Sequence, residues 1–151
     1  MKVQRTFDED FVYSCYAVKE TWAAICDDEN INQDLFFPNM DRSNYWLEVR
    51  DGEDRLGVFL FRRMNHICYE AHTILLPIAR GRATDAAKAA IDWMFSNTGC
   101  LRITTTVPEY NDAAIRLSVR AGLTRYGINE KSFKKGGILF NELLFGISKQ
   151  G

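Results

Sequence analysis

Only three prolines and two histidines occur in these 151 residues, and no charge of one sign prevails: nineteen lysines and arginines face twenty acids. That balance argues against a generally basic nucleic-acid binder, and the one cluster of lysines, Lys131, Lys134 and Lys135, is short. The four cysteines, Cys15, Cys26, Cys68 and Cys100, form no C-x-x-C pair. So spaced, they suit buried thiols of a protein made in the cytosol better than a zinc site or a disulfide framework, and no metal is expected. No stretch approaches the roughly 18 apolar residues a membrane span requires. The opening "MKVQRTFDED" carries no apolar signal core. Repeats, low-complexity segments and linkers rich in Pro, Gly or Ser are also missing. The expectation is a soluble, cytoplasmic protein with no membrane or nucleic-acid partner. It reads as one domain over 1–151, long enough to bury a substantial core.

What is present is periodic apolar patterning. A short strand is expected at Lys2–Arg5. Thr6-Phe7-Asp8-Glu9 matches a capping box, with Thr6 capping one helix that runs to about Cys26. Its apolar face would be Phe11, Val12, Cys15, Tyr16, Val18, Trp22 and Ile25. A polar stretch over 27–44 is broken by Pro38 and holds Leu35, Phe36 and Phe37 as an anchor or short helix. Strands over 45–50 and 56–62 flank an Asp51-Gly52 turn, and a third strand covers 67–76. A helix over about 84–95 would bury Ala87, Ala90, Ile91, Met94 and Phe95. Then come a β-branched strand over 101–107 and a helix over 112–121, with Gly122 just past its end. Two last strands, over 123–128 and 138–147, are joined by a basic loop containing Lys131, Lys134, Lys135, Gly136 and Gly137. Helices interspersed in a mixed sheet make an α/β layered domain.

The most informative stretch is "LLPIARGRATDAAKAAIDWMF", residues 75–95, where a strand hands over to a helix through Arg80-Gly81-Arg82-Ala83-Thr84. A turn needs only the glycine, and the arginines would then be solvated bystanders. A helix start, however, presents unpaired N–H donors and about half a positive charge, so anions bind there readily. Gly81 and Ala83 are small enough for a ligand to approach the backbone. Arg80 and Arg82 could pair with phosphate, and Thr84 could cap the helix or donate a hydroxyl. The stretch is not a P-loop, since no Lys-Ser/Thr follows the glycine. It is not a dinucleotide fingerprint either, having one glycine of the three.

Taken with the downstream "VPEYNDAAIRLSVRAGLTRYG", this stretch resembles the GNAT N-acetyltransferase superfamily over about residues 45–147. The resemblance implies a GNAT-like mixed β-sheet flanked by helices, with a V-shaped splay between the strands at 67–76 and 101–107 that takes the arm of the co-substrate acetyl-CoA. It implies a cofactor-binding set of Leu75, Arg80, Gly81, Arg82, Ala83, Thr84 and Asp85 around the pyrophosphate, with Arg80 on the family's Gln/Arg position. Asn111 falls where the family contacts the pantetheine arm, Ala114 on the small residue after it, and Gly122-Leu123 on the family's Gly-Phe. Departures are visible. Ala83 and Asp85 fill the loop's two glycine positions, and Asp85 would bring a carboxylate toward the pyrophosphate unless it turns away or pairs with Arg82 or Lys88. Ser118 stands where a tyrosine often serves as the acid, with Tyr110 and Tyr126 nearby in sequence.

Alternation along 67–76 puts Cys68, Glu70, His72 and Ile74 on one face. Glu70 and His72 are the candidate catalytic residues: either could deprotonate an amine, directly or through water, or the two could simply be a hydrogen-bonded pair on a half-exposed face. The acceptor pocket is expected from the N-terminal helix, the segment 35–40 and the last two strands. Two functions follow. One is transfer of an acetyl group from acetyl-CoA to an unidentified primary amine by direct attack. The chain is also similar to short GNAT-like proteins of tailed phages and prophages, some described as head-assembly proteins. That similarity implies a catalytically reduced adaptor acting through contacts with phage virion proteins in the host cytoplasm. An open V beside Asn111 favours the first; a V filled by Arg82 or Tyr110 favours the second. An exposed edge on the last strands would favour a homodimer.

Overall fold

In chain order the elements are β1 (Lys2–Arg5), α1 (Glu9–Tyr16), α2 (Lys19–Ile25), β2 (Tyr45–Asp51), β3 (Asp54–Arg63), β4 (Cys68–Leu75), α3 (Ala83–Asn97), β5 (Arg102–Pro108), α4 (Asp112–Arg120), β6 (Thr124–Lys135) and β7 (Ile138–Ser148). Short 3-10 turns lie at Gln33–Leu35 and Pro77–Ala79. This computed structural model describes residues 1–30 and 32–151; Ile31, within the stretch read as a polar loop, lies outside them. The strands form one seven-stranded mixed sheet, ordered β1-β2-β3-β4-β5-β7-β6, in which β4 and β5 are the parallel pair.

Alternation along the strands supplies two apolar faces, and each is covered by helices. On one face α3 and α4 bury Ala86, Ala90 and Met94 against Phe61, Ile103 and Phe145. On the other, α1 and α2 bury Val12, Cys15 and Trp22 against Trp46, Val58 and Ile74. Each fully buried large side chain here contributes about 1.5–3 kcal/mol relative to exposure.

Three local expectations are corrected. The first concerns the cap of α1. Asp8, not Thr6, caps this helix, accepting from the Phe11 amide at 3.1 Å, while the Thr6 hydroxyl accepts from the Asp8 amide at 3.1 Å. A second concerns the helix expected to run on to Cys26. It is two helices, broken at Val18, whose ψ of 120° is extended. In a continuous helix Tyr16 and Trp22 would point about 120° apart. The break lets both rings meet Phe36, at 4.4 and 5.3 Å between centroids. The third concerns the basic loop, most of which is strand. β6 runs on to Lys135 with an irregularity between Asn129 and Phe133, and the turn is Gly136-Gly137. Polar residues on both sides mark a hairpin that projects past the core, and polarity alone does not separate that from a loop.

The geometry that matters for function is a fork. β4 pairs with β5 only through Cys68–Glu70 opposite Arg102–Thr104. Beyond Glu70, β4 stays with β3 as far as Leu75, and β5 stays with β7 as far as Pro108. The Thr105 hydroxyl donates to the Ala71 carbonyl at 2.9 Å, just past the last paired residues. Gly57 holds the β4 arm against β3: a Cβ there would run into the Ile74 carbonyl and lie 2.8 Å from the Leu75 Cα, and its φ of +136° is one other residues rarely adopt.

Candidate functional site

The strand-to-helix junction forms one end of the site. After the 3-10 turn, Gly81 takes φ +83°, which frees the chain to enter α3 at Ala83. Space around Gly81 is open, so its glycine answers a backbone requirement and not crowding. Among the described residues no protein acceptor meets the amides of Gly81, Ala83, Thr84 and Asp85. These are the orphan donors of a helix start, where partial positive charge collects.

The two arginines part company here. Arg80 is exposed and has no ion pair among the described residues. Arg82 reaches back to the β2–β3 turn, donating to Asp51 at 3.2 Å, Asp54 at 3.1 Å and the Ile78 carbonyl at 2.7 Å. Its charge is answered by two carboxylates, so it neither fills the fork nor pairs with Asp85. Asp85 itself is exposed and has no ion pair among the described residues.

From this junction a cleft of about 790 Å³ runs into the fork between β4 and β5. Leu75, Ala83, Asn111 and Ala114 line it, as do Glu70 and His72. Asn111 caps α4, its Oδ1 accepting from the Ala114 amide at 3.2 Å, and lies on the cleft wall because the cap ends where β5 leaves the fork. Tyr110 is turned out of the cleft: its hydroxyl donates to the Ala24 carbonyl at 3.2 Å, and its ring packs on Phe140 at 4.9 Å. Tyr126 is exposed, with the Arg102 guanidinium 5.4 Å from its ring centre. Neither tyrosine lines the cleft. Ser118 does, but its hydroxyl donates to the Ala114 carbonyl at 2.9 Å.

Glu70 and His72 meet as alternation requires. His72 Nε2 lies 2.8 Å from Glu70 Oε1, and Arg62 Nη2 donates to the same oxygen at 3.1 Å. The His72 hydrogen bond, reinforced by the Arg62 charge, holds the Glu70 carboxyl below the usual carboxylate range against the opposing effect of burial. Glu70 is therefore ionised at neutral pH. The carboxylate thereby fixes the orientation of the His72 ring through Nε2.

The end of the cleft away from α3 is lined differently from the acceptor pocket expected from the sequence. Thr21, Ala24 and Ile25 of α2 and Asn129, Phe133, Glu142 and Leu144 of the β6–β7 hairpin line it. The segment 35–40 does not: Leu35 and Phe37 are exposed, and Phe36 packs with Tyr16 and Trp22. The roof is held by Asp28, which accepts from the amides of Gly136 at 2.7 Å and Gly137 at 3.0 Å. The Lys135 ammonium bonds the Ala23 carbonyl beside it. Tyr16, Asn129, Phe133 and Glu142 are among the lining residues that escaped sequence reading. Tyr16 follows the helical core pattern and carries no functional signal. Glu142 interrupts the apolar run "ILFNELLFGI", a signal that alternation alone could have flagged.

Among the described residues no group of three His, Cys, Asp or Glu side chains could hold a metal ion, and no helix is long and apolar enough to cross a membrane. Comparison with known proteins brings two kinds of likeness. A family model described as "Protein of unknown function (DUF2824)" matches residues 13–150. No curated protein matches the chain. Among solved structures, the spermidine N-acetyltransferase of Vibrio cholerae in complex with CoA and spermine superposes with a TM-score of 0.78 at 16% identity, covering 97% of this chain and 94% of that one. An acetyltransferase of the GNAT family from Bacillus anthracis gives 0.72 at 19% identity, covering 97% and 93%. At such identities the likeness shows the fold, a GNAT fold.

Proposed function

The chain belongs to the family described as "Protein of unknown function (DUF2824)", and since that description assigns no activity, we propose from the site itself that it transfers an acetyl group from acetyl-CoA to a primary amine. The observation that carries this reading is the open cleft leading from the unpaired amides at the start of α3 into the β4–β5 fork. A pyrophosphate is the anion those amides suit, with Arg80 free to add charge. The fork exposes backbone that a slender polar arm could bond, beside Asn111 and Ala114. Acetyl-CoA supplies the acyl group: the amine nitrogen attacks the thioester carbonyl carbon, the C–S bond breaks, and CoA leaves as a thiolate that takes its proton from water. His72, oriented by Glu70, removes the proton from the attacking ammonium, directly or through a water. The Vibrio structure, named as a complex with CoA and spermine, supports the two ligand classes of this reading.

One observation favours the other reading, a catalytically reduced adaptor working through protein contacts such as those of phage assembly. The Ser118 hydroxyl is committed to a backbone carbonyl, so α4 offers no proton to a leaving thiolate. Calorimetric titration of acetyl-CoA into the wild type and an Arg80→Ala variant separates the two. Micromolar binding that weakens about tenfold in the variant, about 1.4 kcal/mol, supports the transferase. No binding at millimolar acetyl-CoA overturns it and leaves the adaptor.

A further inference from the structure

The ionisable side chains that line the cleft are Tyr16, Glu70, His72 and Glu142, and no lysine or arginine reaches it among the described residues. The Glu70 carboxylate is met by the Arg62 guanidinium and hydrogen-bonded to His72. Glu142 is different. It is half-buried, yet no cation or hydrogen-bond donor meets its carboxylate among the described residues. A carboxylate that has shed part of its hydration without gaining a partner is a cost to the fold. In a cleft open to ligands, the missing partner can come from the ligand.

Strand register says where that ligand group would sit. Glu70 stands opposite Thr104, and Glu142 opposite Pro108. Thr104 and Pro108 are an even number of residues apart on β5, so both carboxylates leave the same face of the sheet. Their positions differ by about 13 Å along β5 and by two strand spacings, about 10 Å, across it. Between and around them the walls are largely apolar, with Phe133 and Leu144 on the hairpin and Ile25 on α2. Such walls suit a methylene chain.

We propose that Glu142 is a specificity-determining residue whose carboxylate holds a second cationic centre of the acceptor. The acceptor is then an elongated dication: one amine lies beside Glu70 and His72, an apolar chain follows the wall, and the far ammonium meets Glu142. This deepens the transferase reading, from which it takes the identity of the reacting end; binding at Glu142 does not depend on turnover.

The test uses 1,8-diaminooctane and 8-amino-1-octanol, two chains of equal length of which only the first carries a second charge. Each is titrated calorimetrically into the wild type and Glu142→Gln, without CoA, and acetyl-CoA is titrated separately into both proteins. The expected result is diamine binding at least about tenfold tighter than that of the amino alcohol in the wild type. In Glu142→Gln the gap collapses to about twofold or less, with melting temperature and acetyl-CoA affinity retained. No gap in the wild type, or a gap that survives in Glu142→Gln, overturns the proposal. Failure of the transferase reading shows separately, as absent acetyl-CoA binding with the diamine gap intact.

Discussion

At the scale of single residues, charge pairing decides which side chains are available for chemistry. Glu48 is 2% exposed and sits between Arg55, at 2.7 Å, and Arg50, at 2.9 Å. Burial pushes its carboxyl up, but the two arginines outweigh that effect and hold it below the ordinary range. A carboxyl depressed in the fold stabilises above its unfolded value, near 4.3, and loses that contribution as pH falls through its folded value. Glu48→Gln should therefore cost about 1–3 kcal/mol at pH 7, less than a fully buried pair because Arg55 can rehydrate. Urea unfolding near pH 3 should show a much smaller gap between the two proteins. The cysteines offer a second check. Burial pushes the Cys15 and Cys100 thiols up to about 11, whereas Cys26 and Cys68 are half-buried. A thiol reagent at pH 8 should label Cys26 and Cys68 first, and labelling of Cys15 and Cys100 should await unfolding.

Elements, at the next scale, set where the cleft ends lie. α3 is tied to the β2–β3 turn through Arg82, while Arg80 stays free at the same junction. Arg82→Ala should lower the melting temperature slightly, and by less in high salt, because the lost pairs are exposed. It should weaken acetyl-CoA binding far less than Arg80→Ala does, since the Arg82 charge is already met by two carboxylates. Equal losses in calorimetry would mean that both arginines serve the anion. The β4 arm of the fork depends on Gly57. Gly57→Ala must either displace the Ile74–Leu75 backbone or shift β3, and it also forces an unfavourable φ. A loss of about 2 kcal/mol or more in urea unfolding is expected, with weaker acetyl-CoA binding because Leu75 and the junction move together.

Across the whole molecule, the end of the cleft away from α3 is assembled from parts far apart in sequence. Asp28, beyond the end of α2, grips the turn of the β6–β7 hairpin through the Gly136 and Gly137 amides. Those amides, Gly137 foremost, hold the Asp28 carboxyl below its usual range. The grip is therefore present above the ordinary carboxylate pKa and fades as pH falls below it. Asp28→Ala should leave acetyl-CoA binding intact while the Gly136 and Gly137 amides exchange faster by hydrogen–deuterium exchange. If exchange at both is unchanged, the Lys135 and Tyr110 contacts hold the hairpin by themselves.

Much of this protein was legible locally. The element order, the glycine at the start of α3 and the alternation that joins Glu70 to His72 all follow from periodicity and backbone preference within a few residues. What tertiary structure alone decided is set by pairings between distant segments. Phe36 meets rings on both sides of the break in the first helix, the Asp51–Asp54 turn drew Arg82 away, and the end of β4–β5 pairing at Glu70 opened the cleft. Register across β5 placed Glu142 on the cleft face. A local pattern can state that a side chain alternates with its neighbours, but only the partner strand determines what it faces.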